Sequence, residues 1–397
     1  MSTTETLVGG LAIFTAIAVT AVSWTGCSSS DDDDGDNRIA PLDNECLLIA
    51  DGYGPEGTVA VDVEEVAAGL EIPWSIDWLP DGDMLVTERT GAILAISPAG
   101  ESRTVARIEL DAATAEGGLL GLAVHPDFAD SRWFYLYYTA VVGGSVVNRV
   151  ERWLLAEDGQ SAAPDRMILD EIPALQFHNG GRLRFGPDGH LYIGTGDAGQ
   201  PDGSQDLDYL GGKILRLADD GAIPEDNPFP DSPVWIYGVR NTQGFDWRDD
   251  GRMVMTDHGP SELPNEGGRS GHDEVNVVAP GDNLGWPDYY ACEDESERVT
   301  PSLTWTSPVP PGGTAIYTGT DIPEWRGDVF IGVLGIGGAI GHLHRVRLDE
   351  GGEVELNETY FLGDERFGRI RDVVMGPDGK LYFTTSRCDG RGDCGEG

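Results

Sequence analysis

The chain has 397 residues, enough for one large β domain or two smaller ones, and its Gly 56 and Pro 24 imply many turns. Few stretches have the apolar period of a long amphipathic helix, so an all-β fold is expected. Asp+Glu 69 against Lys+Arg 26 leaves a net charge of −43, a solvated acidic surface that repels phosphate backbones and argues against nucleic acid as a partner.

Residues 1–26 read as a signal peptide or membrane anchor. Leu7 to Val22 is apolar enough for a signal core but short for a membrane span. Thr25-Gly26-Cys27 resembles the end of a bacterial lipoprotein cleavage site, with Cys27 as the lipid-bearing residue. Trp24 stands where a small aliphatic residue is usual, and no Lys or Arg precedes the apolar run. Both readings export the protein, to the periplasm or the outside, with a lipid anchor through Cys27 in the first. Residues 27–45 form an acidic Ser/Asp-rich tether that cannot bury anything. The remaining cysteines, Cys46, Cys292, Cys388 and Cys394, suggest two disulfides in an exported chain, with three connectivities open and Cys388–Cys394 the obvious local pair. No C-x-x-C-H occurs, so the chain has no c-type haem signature.

From residue 46 to 397 one phrase recurs. It reads "LPDGDMLVTER" from Leu79, "HPDFADSRWFYLYYT" from His125 and "GPDGHLYIGTGD" from Gly186. It returns as "WRDDGRMVMTDHG" from Trp247, "EWRGDVFIGVL" from Glu324 and "GPDGKLYFTTSR" from Gly376. Each copy is an Asp/Gly-rich turn followed by a short apolar strand. A spacing of about 45 to 80 residues fits one four-stranded blade per copy, so the expected fold is a six-bladed β-propeller. A pair of β-sandwiches accounts poorly for six regular copies. A propeller gathers loops at one end of its channel, so a site should draw residues from several blades.

Residues that the blade pattern does not require are therefore informative. His178 precedes Asn179-Gly180-Gly181, where the backbone can turn sharply. Arg240-Asn241 occupies an equivalent place in the next blade. The stretch from Asp257 to Pro287 is dense in Gly, Pro and carboxylates, and Gly259, Pro260, Asp273 and Glu274 offer the oxygen ligands that Ca²⁺ takes. Arg369 and Arg371, two apart, fall on one face of a strand. Only Lys213 and Lys380 are lysines, so arginine must supply nearly all positive charge at any site. Taken singly, each has an ordinary reading: a hydrogen-bonded loop histidine, surface arginines, a solvated acidic loop.

As an ordered set, these stretches resemble the PQQ-dependent soluble sugar dehydrogenases of the glucose/sorbosone type, including the aldose sugar dehydrogenases. The resemblance runs from Leu70 to Thr385 through "IPWSIDWLPDGDMLVTER", "EGGLLGLAVHPDF", "HNGGRLRFGPDGHLYIGTGD", "LGGKILRL", "IYGVRNTQGFDW", "HDEVNVVAPGDNLGWP" and "GRIRDV". It implies a six-bladed propeller, the cofactors PQQ and Ca²⁺, an aldose substrate oxidised at C1 to a lactone, and a separate electron acceptor such as a quinone, cytochrome or dye. By the same resemblance His178 is the general base and Arg240 stabilises charge beside the quinone. Glu116, Asn241, Arg369 and Arg371 contact the cofactor, and Gly259, Pro260, Asp273 and Glu274 attend the metal.

Three positions depart from the pattern. "FIGVLGIGGAIGHLHRV" has no basic residue before Arg345, where some members place a lysine near the cofactor. Leu284 replaces a frequent Tyr, and the chain ends at "CDGRGDCGEG", so that an early strand such as "TVAVDV" is expected to complete the last blade. A Ca²⁺-dependent propeller lactonase and a non-catalytic binding propeller are the alternatives.

Overall fold

A computed structural model describes residues 44–110, 115–293, 298–335 and 340–387. The expected signal segment, Cys27, most of the tether and the Cys388–Cys394 pair lie outside these residues.

The described chain is almost wholly β. Four consecutive strands, Pro73–Trp78, Met84–Glu88, Ala92–Ile96 and Ser102–Arg107, pair antiparallel as a first meandering sheet. The second is Leu119–Val124, Trp133–Val142, Ser145–Leu155 and Ala162–Pro173, and the third Leu183–Phe185, Leu191–Gly194, Ile214–Leu217 and Val234–Ile236. The fourth comprises Gly244–Trp247, Met253–Asp257, Glu274–Val278 and Leu303–Trp305, and the fifth Pro311–Ile316, Val329–Val333, His342–Leu348 and Val354–Tyr360. The sixth has two strands, Arg369–Met375 and Leu381–Ser386.

Every recurring turn joins the first strand of a sheet to its second, so the six sequence copies mark six inner hairpins. The strands that precede the turns form the inner ring. Thr87 Oγ1 donates to the Leu120 carbonyl, Arg182 Nε to the Gln243 carbonyl, and the Ile316 amide to Asp246 Oδ2. The Ile76 amide donates to Asp372 Oδ2 at 2.9 Å and closes the sixth sheet onto the first, across 296 residues of sequence. Glycine permits the closest approaches: a Cβ at Gly121 would stand 2.0 Å from the Gly181 carbonyl oxygen.

The architecture is a β-propeller, but among the described residues it has five full blades, not the expected six. The stretch containing "TVAVDV" forms no strand. Val59 and Val61 instead pack their side chains into a cluster with Tyr360, Leu381 and Phe383, and one isolated bridge, Glu56 to Thr359, touches the fifth blade. Apolar burial holds this segment in place without a backbone ladder. At the other outer edge, Leu47–Ile49 pairs parallel with Leu303–Trp305 and makes the fourth sheet five-stranded. A Cys46–Cys292 disulfide secures that added strand. Among the described residues no helix is long and apolar enough to cross a membrane.

The channel is filled, with a buried ion pair on its axis. Arg182, 1% exposed, meets Asp372, 0% exposed, at 2.9 Å. Arg182 also donates to Ser75 Oγ and lies over the Trp74 ring. Arg184 crosses to the carbonyls of Thr314 and Val373. Removing one partner of such a pair leaves an uncompensated buried charge. Asp372→Ala is therefore expected to lower stability by about 3–5 kcal/mol in urea unfolding, whereas replacing Arg182 and Asp372 together by Met and Leu costs far less.

Candidate functional site

All six inner strands start at the same end of the ring, and the segments leading into them converge there. Trp74, Glu116, Phe177–Gly180, then Arg240, Asn241 and Gln243, Pro308 and Pro310, and Arg369 with Arg371 come from successive sheets. They line one cavity of about 450 Å³, within the range of small-molecule sites. Arg89 and the segment from His258 to Leu263 complete its wall.

His178 is the most constrained of these residues. Its φ of +57° lies in the left-handed region, unusual for a residue with a side chain. A Cβ on Gly196 would stand 2.2 Å from the His178 carbonyl oxygen, and one on Gly180 2.6 Å from the Gly194 carbonyl oxygen, so Gly196 and Gly180 allow the two segments to touch. The His178 amide donates to Glu116 Oε2 at 2.8 Å. Its Nδ1 donates to Asp197 Oδ1 at 2.7 Å, which leaves Nε2 for the cavity. Asp197 also accepts from the Gly199 amide and the Trp286 indole N–H. Burial alone would raise its carboxyl, but the bond from His178 and the charges of His178 and Arg240 outweigh it and hold the group below the usual range. The result is a histidine fixed in one tautomer by an ionised, fully buried carboxylate.

Arg240 and Asn241 are placed by Asp257, whose two oxygens accept both backbone amides at 2.8 and 2.7 Å. Burial pushes the Asp257 carboxyl up to about 7. Asn241 Oδ1 accepts from the Gly180 amide and so joins the arginine segment to the histidine segment. Arg240 Nε donates to Glu266 Oε1 at 2.7 Å, and Nη2 to Ser261 Oγ at 3.1 Å. His258 Nε2 donates to the Pro311 carbonyl; burial and the Arg240 charge push its imidazole down to about 3, so it is neutral.

Arg369 and Arg371 enter from the sixth sheet. Arg369 Nη1 donates to the Gly335 carbonyl, and Arg371 Nη1 approaches Gln243 Oε1 at 3.5 Å. With Arg89 and Arg240 they bring four guanidinium groups to one cavity of a strongly acidic chain. Trp74, Pro308, Pro310 and Leu334 supply flat apolar walls. This donor set fits a planar polyanion such as PQQ, because guanidinium forks match carboxylates in geometry and charge.

Gly259 and Pro260 line the cavity, as does Asp273. Asp273 accepts the Gly259 amide at 3.0 Å and the Val309 amide at 2.6 Å, so its oxygens brace the loop from behind. Glu274 does not line the cavity. It accepts from Asn276 and the Ala291 amide, and burial pushes its carboxyl up to about 8. No cluster of three or more His, Cys, Asp or Glu suited to a metal occurs among the described residues. Backbone oxygens of Gly259 and Pro260 are nevertheless the chemistry a hard cation takes. Leu284 sits in the core beside Trp235 and Ile236, outside the cavity, and Leu334 joins Pro308 and Pro310 as the fifth blade's contribution to the wall.

Nine of the ten residues singled out in the sequence thus line one cavity. Asp197 was not singled out, although it follows the strand that carries "GTG" and its place beside His178 depends on two glycines. Glu266 and Gln243 were also missed, since nothing in their local sequence distinguishes them from ordinary polar loop residues.

The chain matches the glucose/sorbosone dehydrogenase family over residues 70–392. It is 33% identical over 368 residues to the aldose sugar dehydrogenase YliI of Escherichia coli, covering 87% of this chain and 94% of that protein. It is 29% identical over 267 residues to the quinoprotein glucose dehydrogenase B of Acinetobacter calcoaceticus, covering 59% of this chain and 54% of that one. Among solved structures, the PQQ-bound aldose sugar dehydrogenase of Streptomyces coelicolor superposes with a TM-score of 0.74 at 35% identity, over 86% of this chain and 96% of that one. A propeller whose inner-strand entrances hold these residues, matched along most of its length, belongs to the glucose/sorbosone dehydrogenase family.

Proposed function

We propose that the protein oxidises an aldose at C1 to the lactone with PQQ as its cofactor and Ca²⁺ beside it, and passes the electrons to a separate acceptor. The observation that carries this reading is the His178–Asp197 pair facing the same cavity as four arginines. Bound PQQ would supply the two-electron acceptor for the C1 hydride, with Ca²⁺ polarising its quinone oxygen.

The chain's own residues do the remainder. Nε2 of His178 takes the proton from the C1 hydroxyl, a task suited to imidazole near neutral pH. Asp197 keeps the proton of the resting ring on Nδ1 and stabilises the imidazolium that forms. Glu116 fixes the His178 backbone from the other side. Arg369 and Arg371 hold cofactor carboxylates, Asn241 orients a polar edge, and Arg240 offers positive charge where negative charge develops. Gly259 and Pro260 would hold the cation through backbone oxygens, with Asp273 fixing their loop. Leu334 gives the fifth-blade wall no charge, so the arginines carry the anion binding. The disulfide and the apolar amino-terminal run support export to the periplasm or outside, with lipid anchoring through Cys27 as part of the same reading.

The test is dye reduction by the purified protein with PQQ, Ca²⁺ and a panel of aldoses, alongside the bound-quinone absorbance. Sugar-dependent reduction that EDTA abolishes and Ca²⁺ restores is expected; absence of any PQQ binding would overturn the reading. His178→Ala should lower kcat by about 10²–10⁴-fold while leaving PQQ affinity within about threefold. Asp197→Asn should also lower kcat, by at least about 10²-fold, because an amide favours the wrong tautomer. Arg369→Ala and Arg371→Ala should each weaken PQQ binding by about 10–100-fold in an absorbance titration, as expected for a lost charge-assisted bond.

A further inference from the structure

We propose that Glu266 is a positioning residue that acts through Arg240, setting the guanidinium and one wall of the cavity together. This rests on the reading of the cavity as a PQQ and sugar site.

Glu266 is 1% exposed and occupies a short turn, Pro264–Glu266, inside a hairpin spanning 261–270. The hairpin is closed by a Ser261–Ser270 bridge and by the Glu262 amide donating to the Arg269 carbonyl. Both oxygens of Glu266 are used. Oε1 accepts from Arg240 Nε at 2.7 Å and lies 2.6 Å from Nη2. Oε2 accepts from the Ser261 amide at 2.8 Å and the Leu263 amide at 3.1 Å. Ser261, Glu262 and Leu263 line the cavity, so one carboxylate grips the arginine on one side and the wall on the other.

Two further ties give the hairpin a fixed place against the catalytic pair. Asn265 Nδ2 donates to the Gly199 carbonyl, two residues beyond Asp197. Arg269 Nη1 donates to the Pro287 carbonyl, and its guanidinium lies over the Trp286 ring whose N–H holds Asp197. Neither tie reaches Arg240, which meets the hairpin through the Glu266 carboxylate and through Ser261 Oγ, whose backbone amide Glu266 also holds.

The pairing also sets charge. A carboxylate held against Arg240 in a water-poor site offsets much of its field at a distance but leaves its remaining N–H groups as directed donors. Glutamine at this position keeps the size but has one acceptor oxygen, so it cannot serve the guanidinium and the two amides together. Arg240 then becomes a buried cation without its counter-charge. A bound quinone gains negative character on reduction, so that unbalanced cation favours the reduced form.

The experiment uses the full chain as wild type, Glu266→Gln, Glu266→Asp, Arg240→Ala and the Arg240→Ala/Glu266→Gln double variant. Amide hydrogen exchange is followed in the cofactor-free protein, and the affinity and midpoint potential of PQQ after loading. In Glu266→Gln the Ser261 and Leu263 amides should exchange roughly tenfold faster, and the potential should shift positive. Glu266→Asp should recover part of the potential, and Glu266→Gln should add no shift in the Arg240→Ala background. Unchanged exchange and potential in Glu266→Gln would overturn the proposal, as would a shift of equal size with and without Arg240. Failure of the wild type to bind PQQ would sink the cofactor reading alone; the exchange of Ser261 and Leu263 would still decide whether Glu266 holds the wall.

Discussion

The axial contact between Arg182 and Asp372 is the constraint on which the rest of the propeller depends. Arg182 enters from the third sheet and Asp372 from the sixth, and their remaining bonds reach Ser75 and Ile76 in the first and Gln243 at the entrance to the fourth. One ion pair therefore sets the spacing of four sheets around the axis. Burial pushes the Arg182 guanidinium down to about 10, which still leaves it charged at neutral pH. The pair also supports the cavity from behind, since Arg182 touches Trp74 and Gln243, which line it. Scaffold and site are thus continuous through the same side chains.

Around the cavity the site is built by backbone capture. Asp257 takes the amides of Arg240 and Asn241, Glu116 takes that of His178, Asn241 that of Gly180 and Asp273 that of Gly259. Glu116 and Asn241 reach the main chain of a neighbouring blade, while Asp257 and Asp273 fix loops within the fourth, so the reacting groups sit on short loops yet have little freedom. This is where a chain so rich in carboxylates uses some of them internally. Asp197, Asp257 and Asp273 are all buried, and each has its oxygens committed to named donors.

The sequence made much of this legible because turns advertise themselves. The six Asp/Gly-rich phrases mark inner hairpins, and the structure has all six. Outer strands carry no such mark, and an alternating segment such as "TVAVDV" can bury its valines by packing alone, so the expected sixth full blade did not follow from the count. The site residues stood out where a scarce residue type met a glycine-rich bend, as at His178, or where two arginines shared a strand face. Asp197 and Glu266 were not legible in the same way. Their importance lies in partners 19 and 26 residues away, and only the folded ring brings those together. Glu274 shows the opposite failure: beside Asp273 in a promising string, it points by strand alternation to the other side.

Among the described residues the sixth sheet has two strands, which sets it apart from the other five. Its inner strand packs against the fifth and first sheets, but among the described residues Leu381–Ser386 has only one ladder neighbour. Beyond it the closure relies on side chains, with Ile76, Met84 and Val86 meeting Val374, and Val66, Ala67 and Leu70 packed on top. Among the described residues this outer strand has less backbone support than the strands of the five larger sheets, which makes it a candidate for early local opening. Arg369 and Arg371 stand on the strand beside it. On the proposed function, a polyanion held by these arginines together with Arg240 from the fourth sheet would tie the two sheets to each other, since it binds the closed ring and not an opened one.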